Sequence, residues 1–108
     1  MLTLPIKKKW FDMIASGEKK EEYRAVTPYY RTRLVKLSCP CQIRFRAGYS
    51  KKSPLMECTI KSISQGLGII EWGAGPETPY FILVISETRN ITTASTKGSG
   101  GKRLKGGE

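Results

Sequence analysis

The sequence predicts a small α+β domain, with two short helices early in the chain followed by short strands that form a curled sheet or barrel. Its 108 residues are enough for one domain and exclude a two-domain architecture or a large cofactor-binding fold. Early apolar residues recur at a spacing near 3.6, which is typical of amphipathic helices. From residue 41 onward they alternate with polar residues, which is typical of strands. No internal repeat is evident.

The N-terminal segment predicts a strand and then a helix. Residues 2–4 form the strand, and Pro5 stands where a helix often begins. Apolar residues spaced one helical turn apart define one face of a helix over residues 6–16, with a run of lysines on the other. This helix is expected to end at Gly17.

The next two elements are a charged strand and a second helix. Residues 19–24 predict a charged strand or extended loop, because Tyr23 is their only apolar anchor. Pro28 then opens a second short helix over residues 29–37.

The remaining elements are strands. Residues 41–47 and 55–64 alternate between apolar and polar side chains, with a basic turn over residues 48–54 between them. We expect the glycines of residues 65–68 to end the second of these strands. Residues 80–85 form an apolar run rich in β-formers, which predicts a central strand.

Charge is concentrated in the N-terminal half of the chain. The formal net charge is +10, of which residues 1–52 carry +9, with 13 basic and 4 acidic side chains. Such asymmetry favours a polyanionic partner, with nucleic acid as the first expectation and an acidic membrane surface or small phosphorylated ligand as alternatives. A solvated, solubilising surface is the plainer interpretation. Residues 89–108 predict a flexible basic tail outside a folded domain of residues 1–88.

Several function classes are excluded or unexpected. The chain has no histidine, which removes histidine triads and HExxH metal sites. Its three cysteines predict reduced thiols, and a zinc site would lack a fourth Cys or His ligand. We therefore expect no metal and no cofactor. There is no apolar run long enough for a membrane span and no signal-peptide pattern, so we expect a cytoplasmic protein without membrane association, and a monomer.

The glycine-rich stretch over residues 66–75 does not fit a phosphate-binding loop. It lacks the Gly-Lys-Ser/Thr of a P-loop and the βαβ context of a dinucleotide fold. Trp72 within it either packs against the end of the sheet or offers a stacking platform for a base.

The densest chemistry lies in residues 17–24. On an extended backbone Lys20, Glu22 and Arg24 would share one face, with Lys19, Glu21 and Tyr23 on the other. Two interpretations stay open: a salt-bridged exposed edge strand, or a binding site in which Glu22 and Arg24 form a fixed fork.

Together with the preceding helix, Gly17-x-Lys19-x-x-Glu22-x-Arg24 resembles the signature of ASCH domains, which are small PUA-like β-barrels of about five to six strands. The similarity covers about residues 1–88 and includes Arg-Phe-Arg-Ala-Gly-Tyr-Ser at residues 44–50, Glu-Trp-Gly at residues 71–73 and the strand at 80–85. It resembles the compact bacterial and phage members.

The resemblance implies a basic cleft, lined by the motif, that binds RNA or a nucleotide. Lys19 and Arg24 would contact phosphate, while Glu22 would accept a hydrogen bond from a base or hold Arg24. Tyr49 and Trp72 are the expected stacking residues. The full set of expected ligand-binding residues is Lys7, Lys8, Lys9, Lys19, Glu22, Tyr23, Arg24, Arg44, Arg46, Tyr49, Ser50, Lys51, Lys52 and Trp72.

The resemblance also implies enzymatic alternatives. Some very small members are similar to amidohydrolases that remove acyl groups from modified cytidine with a Lys, a Thr and a Glu. Lys19 matches the Lys, Glu22 stands at the Thr position, and Glu71 lies in a suitable loop, so the catalytic set would be these three. Other members are described as ribonucleases. A protein-interaction module with an acidic partner is the third class.

Overall fold

The computed structural model describes residues 1–91, which form an α+β fold of one five-stranded mixed sheet and two helices. The strands are β1 (Thr3–Ile6), β2 (Glu21–Ala25), β3 (Cys41–Ala47), β4 (Leu55–Leu67) and β5 (Pro79–Asn90). The helices are α1 (Lys8–Ala15), α2 (Pro28–Leu34) and a single 3₁₀ turn, Ile70–Trp72. Most of the predicted tail, from residue 92 onward, lies outside the described residues.

The strand order in the sheet is β1-β3-β4-β5-β2. The pair β1 and β3 is parallel, and the other three pairs are antiparallel. The strands β1 and β2 are therefore the two edges, and within residues 1–91 the sheet is not closed. A side chain nevertheless joins them, because Nη2 of Arg24 on β2 donates to the carbonyl of Pro5 on β1 at 2.8 Å. The sheet curls enough to bring its edges together.

The core lies between one face of this sheet and the helices α1 and α2. The predicted alternation in β3 and β4 is confirmed, since Ile43, Phe45, Met56, Cys58 and Ile60 are buried. Burial of these side chains drives the pairing of the strands, at roughly 1.5–3 kcal/mol for each large apolar group. Helices α1 and α2 add further buried side chains: Phe11, Ile14 and Leu34.

Several predicted boundaries differ from the structure. The glycines of residues 65–68 do not end β4, which continues through Gly66 to Leu67 because residues 79–84 of β5 keep pairing with it. Pro5 lies inside β1 rather than at the start of α1, as a missing N–H is tolerated in a short edge strand.

Three other boundaries also shift. Helix α2 ends at Leu34 rather than at residue 37. Strand β5 is longer than the predicted 80–85 and reaches Asn90, and the amide of Ile91 still donates to the carbonyl of Leu55. Strand β5 thus includes residues 89 and 90, which belong to the predicted tail.

Candidate functional site

The Gly-x-Lys-x-x-Glu-x-Arg motif begins at the end of α1 and continues along the edge strand β2. Gly17 adopts a φ of +86°, a left-handed conformation that favours glycine and turns the chain from the helix toward the strand. Lys19 follows this turn and precedes β2, so it does not obey the alternation of the strand. The prediction that Lys19 faces away from Glu22 is therefore wrong: Nζ of Lys19 lies 3.2 Å from Oε1 of Glu22.

Lys19, Glu22 and Arg24 form a buried ionic network. Only 1% of Lys19, 6% of Glu22 and 8% of Arg24 is exposed. Oε2 of Glu22 accepts from Nε of Arg24 at 3.0 Å and lies 2.7 Å from Nη2. These contacts hold Arg24 in place, and the three side chains are buried rather than solvated on an exposed edge strand.

The Lys19 ammonium group is saturated by the protein. Besides Glu22, its Nζ donates to the carbonyl oxygens of Glu21 at 2.6 Å and Trp72 at 2.7 Å. An ammonium group has three donors, so these three acceptors use all of them. The rings of Trp10 and Tyr23 lie 5.4 and 4.8 Å from Nζ and add cation–π contact.

Burial lowers the pKa of Lys19 from its ordinary value. Desolvation is the largest cause, because taking an ammonium group out of water disfavours its charged form. The carboxylate of Glu22 opposes it by attraction and hydrogen bonding, and Arg24 lowers the pKa by a smaller amount through repulsion. The shift thus arises mainly from burial, with Arg24 as a secondary cause.

Arg24 is held from three sides. Its Nη1 donates to the hydroxyl of Tyr30 at 3.1 Å, in addition to the contacts with Glu22 and with the carbonyl of Pro5. Within residues 1–91, Nε and one N–H each of Nη1 and Nη2 make these hydrogen bonds, and Nη2 is also in ion-pair contact with Glu22. One N–H on Nη1 is left, and the Tyr30 hydroxyl, which accepts from Arg24, keeps its own proton to donate.

A cleft of about 450 Å³ opens beside this network, between the edge strands, the start of α1 and the loop that follows β3. Six expected binding residues line it. Three of them, Glu22, Tyr23 and Arg24, belong to β2 and form one side of the cleft. The other three, Lys7, Lys8 and Tyr49, lie toward its rim, and Tyr49 is 91% exposed. Sequence reasoning missed Trp10 and Tyr30 as cleft residues; their aromatic spacing was consistent with core packing alone.

The remaining expected binding residues lie outside the cleft. Arg44 is paired with Glu57 across β3 and β4 at 3.3 Å. Arg46 donates to the carbonyls of Ser50 and Lys51 and so stabilises the turn after β3. The side chains of Ser50, Lys51, Lys52 and Lys9 are exposed.

The 3₁₀ turn contributes its backbone to the site. Trp72 is half-buried, and its carbonyl accepts from Lys19, while Glu71 is exposed. The Trp10 ring lies against Gly73, where an added Cβ would come within 3.0 Å of it.

Two further observations bear on ligands. No group of three or more Cys, Asp or Glu side chains in residues 1–91 is arranged to hold a metal ion. Neither helix in that part of the chain has the length and apolar character needed to cross a bilayer. Comparison of the chain with protein-family models, with curated proteins and with solved structures finds no match.

Proposed function

We propose that this chain is an ASCH-type domain that binds RNA or a nucleotide in the cleft beside the Lys19–Glu22–Arg24 network. The observation that carries the proposal is the position of this network. Burying three charges is costly in free energy, and replacing such groups with apolar ones is often neutral or stabilising. Buried charges that border a cleft are accordingly candidates for a functional site.

The inner wall of the cleft suits a ligand with hydrogen-bond acceptors. The unused N–H of Arg24 and the hydroxyl proton of Tyr30 are two donors fixed by their own partners. Because Glu22 orients the guanidinium group, little side-chain entropy is lost when a ligand binds. A base carbonyl or ring nitrogen, or a phosphate oxygen, fits this pair of donors.

The rim supplies charge and stacking. Lys7 contributes an exposed ammonium group, and Lys8 contributes a second that is paired with Asp12 at 3.0 Å. Tyr49 offers an exposed ring, and stacking of one base on an aromatic side chain contributes about 1–3 kcal/mol. Lys19 supports the site from behind, since its three donors are already used.

We also propose that the curled sheet corresponds to the PUA-like barrel implied by the motif. The Arg24 to Pro5 hydrogen bond supports this proposal, because it joins the two edge strands at the point where a barrel would close.

Binding of a fluorescent single-stranded RNA and of nucleoside monophosphates to the full chain, at several salt concentrations, tests the proposal. We expect Tyr49→Ala to weaken RNA binding by roughly 5-fold to 100-fold. Lys7→Gln should reduce the slope of log affinity against log salt by about 0.7. Lys61→Gln, an exposed lysine on β4 outside the cleft, is the matched control. Equal effects of Lys7→Gln and Lys61→Gln, or no effect of Tyr49→Ala, would count against the cleft.

A second candidate function is hydrolysis of an acylated cytidine, and the lowered pKa of Lys19 is the observation in its favour. A lower pKa leaves a larger fraction of the amine unprotonated near neutral pH, and only the unprotonated amine can act as a base or nucleophile. The three hydrogen bonds of Lys19 would have to rearrange first. Incubation of acylated cytidine with wild type, Lys19→Met and Glu71→Gln measures this directly, and acid release that persists in Lys19→Met would exclude the mechanism.

A further inference from the structure

Two cysteines form a surface pair at the start of β3. Cys39 and Cys41 flank Pro40, and Cys41 is the first residue of β3. Cys39 is exposed, Cys41 is half-buried, and both are free thiols. Neither lines the cleft, so an inference about them does not rest on the proposed function.

The separation of the two sulfurs is that of ligands to one metal ion. Their Sγ atoms lie 3.9 Å apart. A disulfide needs about 2.05 Å, so that bond would require the two side chains to move together by almost half this distance. Two metal–thiolate bonds of about 2.3 Å place their sulfurs about 3.8 Å apart at the tetrahedral angle and about 4.0 Å apart at the trigonal angle, a range that includes the observed separation.

The pair lies beside a groove without charged side chains. Cys39 borders this groove of about 510 Å³, whose walls combine apolar side chains such as Leu34 and Ile63 with the neutral polar side chains of Ser62, Ser64 and Gln65. The groove therefore offers no carboxylate to a hard cation. The described residues contain no third Cys, Asp or Glu close enough to join the two thiols as a metal ligand. The site therefore lacks the four protein ligands that a structural zinc ion prefers.

We propose that Cys39 and Cys41 form a two-thiolate binding site for copper(I), with a third ligand taken from solution. Thiolates select soft ions, and copper(I) accepts low coordination numbers. Binding breaks the two S–H bonds, forms two Cu–S bonds and releases two protons to solvent. No atom changes oxidation state, so no oxidant or reductant is consumed.

Titration of the reduced full chain with copper(I) under anaerobic conditions, against a coloured copper(I) chelator, tests this site. We expect one equivalent to transfer to the protein. Loss of a supporting partner typically lowers metal affinity about 10–100-fold, so Cys39→Ser and Cys41→Ser should each lower it by at least about 100-fold. Cys58→Ala is the matched control, because that thiol is buried in the core and is expected to leave copper binding unchanged.

Three outcomes would overturn the proposal: no transfer from the chelator to wild type, equal transfer to wild type and the Cys39→Ser/Cys41→Ser double variant, or zinc(II) binding through the same two thiols as tightly as copper(I). Thermal unfolding of each variant, measured in parallel, separates loss of the site from loss of the fold. Because Cys39 is exposed and Cys41 is half-buried, we expect both serine variants to unfold at temperatures close to wild type.

Discussion

Replacing Glu22 with glutamine removes the only negative charge of the buried network while nearly preserving the shape of the side chain. The two cations that it serves, Lys19 and Arg24, then remain buried together. Breaking one buried ion pair by removing a partner typically costs about 3–5 kcal/mol. Here one substitution breaks two pairs, because both cations share the same carboxylate, so we expect the upper part of that range.

A limit to this cost follows from the chemistry of lysine. Without its partner, Lys19 can release its proton instead of remaining charged. For a lysine with the ordinary pKa of 10.5, deprotonation at pH 7 costs about 5 kcal/mol. We therefore expect Glu22→Gln to lower the free energy of unfolding by about 4–5 kcal/mol. For a domain of about this size, that corresponds to a fall in Tm of roughly 15–40 °C.

Glu57→Gln provides a matched control. Glu57 also sits between two cations, Arg44 and Arg89, but their side chains are 38% and 68% exposed and can be solvated. We expect this control to cost less than about 1–2 kcal/mol. Thermal and urea unfolding at pH 7, followed by circular dichroism, measure both variants.

A double-mutant cycle sharpens the test. Lys19→Met in the Glu22→Gln background removes one of the stranded cations, so the double variant should be less destabilised than the two single effects predict, by about 0.5–3 kcal/mol. The reasoning fails if Glu22→Gln costs no more than Glu57→Gln, or if the effects of Lys19→Met and Glu22→Gln simply add.

Two other predictions concern stability. Gly68→Ala should lower the free energy of unfolding in urea by about 1–3 kcal/mol, because a Cβ there would lie 2.7 Å from Ala74 and from the Tyr23 ring. Gly66→Ala is the control and should cost clearly less, because a Cβ there would lie 3.5 Å from Ile82. Equal losses of stability in the two variants would contradict this explanation. Burial raises the pKa of the Cys58 thiol from 9 to about 12. Above about pH 9 the folded chain therefore keeps a proton on Cys58 that the unfolded chain loses. The contribution of this thiol to the free energy of unfolding is complete below about pH 9 and is lost as pH rises toward 12. Cys58→Ala should therefore flatten the fall in stability above about pH 9, and an unchanged slope would show that Cys58 is not the group responsible.

The parts of the fold that follow a simple period could be predicted from the sequence. In β3 and over residues 56–60 of β4 the apolar residues alternate with polar ones, so the burial of Ile43, Phe45 and Met56 was predicted correctly. The continuation of β4 through Gly66 could not be predicted in this way. It depends on pairing with residues that lie more than ten positions further along, and glycine ordinarily weakens a strand.

The candidate site was only partly predictable for a related reason. The motif singled out Lys19, Glu22 and Arg24, and Glu22 and Arg24 do share a face of β2. The burial of Lys19 depends on the carbonyl of Trp72, which lies 53 residues away and belongs to an irregular turn. A long charged side chain is rarely expected in the interior, and local sequence provides no signal for a distant backbone acceptor.

The strand order of the sheet determines when the site can exist during synthesis. Within the described residues 1–91, strand β2 pairs with β5 alone, and Glu21 lies opposite Val84, 63 residues later in the chain. At about 5–20 residues per second, a ribosome needs roughly 3–13 s to make that stretch. Lys19 also lacks an acceptor until Trp72, 53 residues after it, has been made, and before that point the three charges of the motif are left hydrated. We therefore expect nascent chains that end before β5 to have no cleft for a ligand.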